Sequence, residues 1–452
     1  MTDWRATLAH WREDSVLGRV VQNSAHLFSS NSLSLVLSYG QGILSARLLG
    51  VAGFGLVGLV MGYASTVNSI LSFRMSESVV RYGGEYVERG EKEKASALIK
   101  TAALTEATVS ILAFIFVVLT STLASQYISK TPGTAWMFSL FSIGLLANFN
   151  YETSLGILQI TDKVKFQGTI NLIQNIICAV VIAGAFFLHG SVVTVLIAYL
   201  IGKSILGLGM FIFAQIQLRR VLGAGWWKAS FRAIHSYREV GWFAINSNIS
   251  GTVIKIFRES EIVWVGFFLS STAAGYYKAA YTIIGLLSVM ADPFITTTYP
   301  EINRLIVQKA WPRLRDFLRK VTTLAFVYNL AEAIGFILLG RWILWIYGAQ
   351  YESAYPALMA LLVGLTFNYT FFWNRPLLLS LGLPEYPIKA TVIAGIIKVA
   401  LAFLFVPRFG YVAEAALLSF YYVASVGAMV WRGMKEINTK SRSLEDTNLI
   451  GS

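Results

Sequence analysis

The chain has 452 residues, of which 56% are hydrophobic and only 13% charged, with a formal net charge of +13. Soluble domains carry about 25% charged residues, so this composition excludes an ordinary soluble domain and indicates a polytopic membrane protein. The single Cys178 excludes an internal disulfide and argues against a thiolate metal cluster, and the four histidines (His10, His26, His189 and His235) are scattered without metal-ligand spacing.

In chain order, residues 1–19 place Trp4, Leu8 and Trp11 on one helical face beside Arg5 and Arg12. That pattern fits a helix lying in the membrane interface or a frayed polar terminus; no charged n-region, short apolar core and cleavage site of a signal peptide is present. About twelve transmembrane spans follow, at about 20 residues each, near 20–47, 54–79, 99–124, 134–158, 168–188, 192–217, 239–269, 273–298, 319–346, 353–380, 386–406 and 411–432. The expected organisation is an N-lobe over 20–217, a cytoplasmic linker over 218–238 and a C-lobe over 239–432. The polar composition of 433–452 reads as a disordered tail. With the N-terminus inside, the cytoplasmic segments hold 26 of the 37 Lys and Arg, and the outer loops hold Arg47, Lys130, Arg341 and Arg408. The asymmetry puts both termini in the cytoplasm and accounts for most of the basic charge without a nucleic-acid partner.

The two halves repeat. LLGVAGFGLVGLVMGYAS (48–65) follows the first span and FLSSTAAGYYKAAYTIIG (268–285) the seventh; aligning Gly53-Phe54 on Gly275-Tyr276 gives an offset of 222 residues. The long basic loops RYGGEYVERGEKEKASALIK and PEINRLIVQKAWPRLRDFLRK fall together at nearly the same offset. Two six-helix bundles of parallel topology are therefore expected, related by an axis along the membrane normal. The glycines of the second and sixth spans read as close helix packing.

The seventh span carries Lys255, Arg258, Glu259 and Glu261 in its middle, and a charge at the centre of a membrane helix costs roughly 2.5–3.5 kcal/mol on insertion scales. At about 100° per residue, Asn248, Thr252, Lys255 and Glu259 share one stripe. The first span is also polar on one side, through Asn23, Ser30, Ser34, Ser38, Gln41 and Ser45. Interhelical hydrogen bonding is the plain reading of such a face; paired with its charged counterpart, an aqueous cavity is the sharper one. Arg74, Lys278 and Arg375 lie near span ends and can snorkel to headgroups. Lys203, Lys255, Arg258 and Lys398 lie deeper. A Lys255–Glu259 ion pair and an Arg258–Glu261 pair are possible within the helix, whereas Lys203 and Lys398 have no acid nearby in sequence. A cationic site for an anion follows, with phosphate suited to Arg as a planar fork and to Lys as a point charge. A phosphorylated, sugar-bearing lipid would satisfy such a site, and so would a small anion or a nucleotide sugar; for the first, Lys203, Lys255, Arg258 and Lys398 would hold the phosphate or acidic sugars and Asn23, Ser34, Gln41 and Asn248 the sugar. Glu332, near the middle of its span, is the candidate titrating group, with Glu259 and Glu261 as further coupling candidates. No HExxH, GxSxG or GxxxxGK[ST] occurs, and the outer loops are short. The chain reads as no enzyme and needs no cofactor; an ion or proton gradient would supply the energy.

The runs ARLLGVAGFGLVGLV (46–60) and MSESVVRYGGEY (75–86) resemble the start of the Wzx-type oligosaccharide-lipid flippases of the multidrug/oligosaccharidyl-lipid/polysaccharide (MOP) superfamily, through Arg47, Leu49, Gly50, Phe54, Gly55, Arg81 and Tyr82. EIVWVGFFLSSTAAGYYKAAYTI and TTTYPEINRL are similar to its second half through Glu261, Gly275, Tyr276, Ala279 and Pro300, with Glu261 where Asp is commoner. The resemblance implies an all-α, V-shaped bundle of two six-helix lobes with a cation-lined cavity. It also implies alternating access and the flipping of an undecaprenyl-pyrophosphate-type glycolipid to the outer leaflet for polysaccharide biosynthesis, beside polymerase or glycosyltransferase machinery. The multidrug branch usually has an acid in its first span; none lies between Val20 and Arg47 here. A multidrug or small-anion exporter is the alternative within transporters, and a membrane-embedded glycan polymerase or ligase the alternative among enzymes.

Overall fold

The computed structural model describes residues 15–72, 75–234 and 260–450, together with Gly241, Lys255 and Phe257. All regular structure among the described residues is helical, and eight stretches are long and apolar enough to cross a membrane. The expected seventh span is described as a helix only over Glu261–Phe268. In a bilayer every backbone N–H and C=O must be satisfied within the chain, which the helix does residue by residue. Large apolar side chains such as Leu119, Phe187 and Leu338 point outward, while Gln41, Asn175, Glu106, Glu261, Lys398 and Glu414 are buried. Hydroxyls on outward faces bond back to their own helix, as Thr108 Oγ1 does to the Leu104 carbonyl at 2.8 Å.

The chain divides into two compact units. The first comprises Met1–Leu48, Tyr63–Ser125 and Pro132–Thr252, and the second Leu49–Gly62, Gln126–Thr131 and Val253–Ser452. Helix α1 (Ser15–Leu71) is two helices joined at Gly50, whose φ of 66° lies in the left-handed region that a side chain disfavours.

The first unit is completed by α2 (Lys92–Leu123), α3 (Ala135–Ala147), α4 (Tyr151–Ile160), α5 (Lys165–Phe187) and α6 (Val192–Val221). Helices α3 and α4 form one span broken at residues 148–150. The freed groups find partners: Asn148 Nδ2 donates to the carbonyls of Gly144 (2.8 Å) and Lys203 (3.1 Å). The buried Glu106 carboxylate of α2 accepts the amides of Glu152 (2.8 Å) and Thr153 (2.9 Å) at the N-terminal end of α4. A carboxylate at a helix N-terminus meets both the unpaired N–H groups and the positive end of the dipole. Beside it, Ser76 Oγ donates to Glu152 Oε2 at 2.5 Å. These bonds assign Glu106 a structural task.

The second unit contains α7 (Glu261–Phe268), α8 (Ser271–Ile284), α9 (Leu287–Val307), α10 (Trp311–Tyr347), α11 (Tyr355–Thr370), α12 (Asn374–Ser380), α13 (Glu385–Phe409) and α14 (Tyr411–Ile450). Here too one span is broken, between α11 and α12. The 222-residue offset carries residues 148–150 onto 370–372, so the same discontinuity recurs in both halves. In place of Glu106, the buried Asn329 of α10 donates to Thr370 Oγ1 at 3.4 Å. The two segments that align across the halves also pack on each other. A Cβ at Gly55 would stand 1.8 Å from the Ser271 carbonyl oxygen, and one at Gly275 would stand 2.1 Å from that of Val51. Glycine is required at both, confirming the packing reading for this stretch.

The disordered tail expected from composition does not begin at residue 433. Helix α14 continues to Ile450. Ile437 is buried in a cluster with Ile302, Trp311, Leu314 and Leu377, and Arg315 donates to Asn438 at 2.8 Å. Apolar residues at helical spacing outweigh the polar average of the segment.

Candidate functional site

In the first unit, the polar face of α1 meets a polar face of α5. Gln41 Nε2 donates to the Asn175 carbonyl at 2.8 Å and approaches Asn175 Oδ1 at 3.4 Å, and Ser38 Oγ donates to the same Oδ1 at 2.9 Å. Asn175 Nδ2 donates to the Asn171 carbonyl at 2.8 Å, and Gln174 reaches Asn171 Oδ1 at 3.2 Å. The result is a connected amide network between the polar face of α1 and NLIQN (171–175) of α5. Ser34 is buried on the same α1 face with an unpartnered Oγ. Lys203 of α6 is half-buried, its stem against Gly144 and its ammonium 5.5 Å from the centre of the Phe141 ring. That contact is the geometry of a cation over an aromatic face. Asn23 lies on α1, with its side chain outside the described residues.

In the second unit the charges are arranged differently. The Lys398 ammonium of α13 pairs with Glu261 Oε1 of α7 and lies 2.7 Å from Glu414 Oε1 of α14. All three side chains are at most 2% exposed. Tyr277 of α8 donates its hydroxyl to Glu261 Oε2 at 2.9 Å. Four helices thus converge on one buried ionic cluster. The cluster corrects one sequence expectation: Lys398, read as a phosphate ligand, is engaged by two carboxylates, one of them, Glu261, 137 residues away. Lys278, read as snorkelling from a span end, instead lays its stem against Gly58 and its ammonium 4.1 Å from the centre of the Phe54 ring.

Glu332 of α10 is half-buried and accepts the Tyr328 hydroxyl through Oε1, while its Oε2 has no hydrogen-bond partner. Lys255 is exposed. Arg258, Asn248 and Glu259 lie outside the described residues. The structure therefore joins Gln41 to an amide network and Lys398 to Glu261. Sequence reasoning gave no role to Asn175, Tyr277 or Glu414. Their signals are polar groups inside apolar runs, NLIQNIICAVV for Asn175 and YVAEAALL for Glu414.

The chain is thus a multi-pass helical membrane protein with buried ionic and amide clusters and two similarly broken spans. The chain belongs to the polysaccharide biosynthesis protein family, whose model matches residues 20–306. It is similar to the inner membrane protein YghQ of Escherichia coli K12, with 22% identity over 77% of this chain and 98% of that protein. It is also similar to the probable flippase AglR of Haloferax volcanii, with 25% identity over 41% of this chain and 39% of that protein. Its fold matches an inward-facing multidrug resistance MATE family transporter of the MOP superfamily, with a TM-score of 0.72, 15% identity, and coverage of 90% of this chain and 96% of that one. The lipid II flippase MurJ in an inward closed conformation matches with a TM-score of 0.71, 15% identity, and coverage of 93% and 90%. These likenesses establish the fold, an all-α membrane bundle of the kind those two proteins share.

Proposed function

We propose that this chain flips a lipid-(pyro)phosphate-linked oligosaccharide of undecaprenyl type across the cytoplasmic membrane for cell-surface polysaccharide biosynthesis, by alternating access of its two halves. The observation that carries the reading is the membrane-embedded polar interior of the first unit, where the Gln41–Asn175–Asn171 amides share a bundle with the Lys203 cation. Amides recognise sugar hydroxyls as donors and acceptors, and an ammonium recognises phosphate as a point charge. A polar oligosaccharide on a phosphorylated lipid requires both. Membership of a polysaccharide biosynthesis family supports this substrate class over a drug. In this reading Lys203 holds the phosphate, joined by Lys255 and Arg258, and Ser34, Gln41, Asn23 and Asn248 serve the sugar. Glu332, Glu259 and Glu261 are the coupling candidates, and glycosyltransferase or polymerase machinery supplies and consumes the glycolipid.

A strain lacking the gene should lose surface glycan while keeping its drug tolerance. Unchanged glycan with new drug sensitivity would favour the multidrug exporter instead. The basic loops put both termini in the cytoplasm, so alkaline phosphatase fused after the last residue should be inactive; an active fusion would reverse the orientation.

A further inference from the structure

We propose that the far end of α14, together with Arg315 of α10, is a binding site for the headgroup of an anionic phospholipid. The apolar run of α14 ends at Trp431, and the next eleven residues, RGMKEINTKSR, carry four cations and one acid. At about 1.5 Å per residue this 40-residue helix is about 60 Å long, twice the thickness of a bilayer's hydrocarbon core. The stretch beyond Trp431 therefore stands in the headgroup layer and the water next to it. One side of it is packed: Ile437 is buried, Gly433 lies against Leu377, and Arg315 donates to Asn438 Oδ1 at 2.8 Å.

The opposite side is open. Trp431, Lys435, Asn438, Thr439 and Arg442 are exposed, and at about 100° per residue they fall within roughly 100° of one another. With Met434 they line an open groove of about 410 Å³, a size that takes a small ligand. The charges are sorted by face. Glu436 lies on the flank, where Arg432 (3.1 Å) and Lys440 (3.8 Å) engage it, and Asp316 of α10 is taken by Lys320 at 2.7 Å. Lys435, Arg442 and Arg315 have no ion pair among the described residues, so the groove side carries three cations. Glu445 and Asp446 follow on α14, with side chains outside the described residues.

This face fits a lipid phosphate better than a protein. Trp431, 60% exposed at the end of the apolar run, has the place of an interfacial aromatic, and the Lys435 ammonium lies 5.1 Å from the centre of its ring. Lys435 stands about 6 Å past Trp431 along the axis, within a headgroup layer of about 5–8 Å. Arg315, level with Asn438, stands about 10 Å past it and keeps guanidinium N–H groups beyond the one given to Asn438. A phosphodiester here accepts from the ammonium as a point charge and from the guanidinium as a fork. Arg442, about 16 Å past Trp431, adds only its field, which salt screens over about 8–10 Å. A protein partner lying along the groove would use its outer half as much as its inner half.

Native mass spectrometry of the purified full chain, delipidated and titrated with phosphatidylglycerol or phosphatidylcholine without glycolipid, counts the lipid retained. The wild type should retain phosphatidylglycerol in preference to phosphatidylcholine. Lys435→Gln should lower that affinity on the order of fivefold, the effect of one cation at a membrane surface. Lys435→Arg should restore it, and Arg442→Gln should cost less. Both positions are exposed, so the variants should melt with the wild type. Glu445→Gln/Asp446→Asn should keep the preference or strengthen it. No preference in the wild type, an unchanged preference in Lys435→Gln, or its loss in Glu445→Gln/Asp446→Asn overturns the proposal. Displacement by inorganic phosphate as readily as by phosphatidylglycerol assigns the groove to a soluble anion and also overturns it. So does an oligoglutamate peptide that phosphatidylglycerol cannot displace and that Arg442→Gln weakens as much as Lys435→Gln, which assigns the groove to a protein. No glycolipid is present, so a negative result leaves the flippase reading untouched.

Discussion

Replacing Lys398 by methionine is expected to destabilise the chain by about 3–5 kcal/mol, the usual cost of removing one partner from a buried ion pair. The side chain is 1% exposed and, among the described residues, is the cation that joins Glu261 to Glu414. Methionine fills a similar volume, so the penalty comes from two carboxyls left in an apolar interior rather than from a cavity. Both would have to be neutralised or reach water, and α7, α13 and α14 would lose their shared contact. The double substitution Lys398→Met/Glu261→Gln removes one charge of each sign and should recover most of the folded protein. Thermal unfolding and monomer yield in detergent measure both. Full yield of Lys398→Met alone would show that the cluster holds nothing together.

The second large effect is expected at Lys203. If its ammonium contacts phosphate, Lys203→Gln removes a hydrogen bond to a charged group worth about 1.5–3 kcal/mol, on the order of a tenfold to hundredfold loss of affinity. Surface glycan should fall accordingly while protein level stays normal, because glutamine keeps the stem that packs on Gly144. Lys203→Arg keeps the charge and should retain more export than glutamine. Equal glycan in wild type and Lys203→Gln would remove Lys203 from the binding role.

The fold was largely legible because its causes are local. The apolar runs, Gly50, the glycines at 55 and 275 and the 222-residue offset all lie in the linear chain and reappear as helices, a kink, a close contact and a repeated break. The site was legible only as a set of residue types. Lys398 looked unpaired because its acids lie 137 and 16 residues away, and no helical spacing links three different helices. Glu414 was visible as an acid in an apolar run, yet nothing local marked it as a partner of Lys398. Gln41 stood out on the first polar face, but its bond to Asn175 crosses 134 residues. The tail misled for the opposite reason: averaging over polar residues hid Ile437, whose burial anchors the last helix.

In the proposed function a lipid-linked oligosaccharide crosses the membrane through this chain. The direct measurement uses the purified protein in liposomes loaded on one leaflet with a lipid-pyrophosphate oligosaccharide, whose sugar becomes accessible to a lectin or glycosidase outside only after flipping. Exposure faster than in protein-free liposomes is expected, with a much smaller acceleration for Lys203→Gln. Exposure no faster than in empty liposomes, with the same preparation exporting a cationic drug, would contradict it.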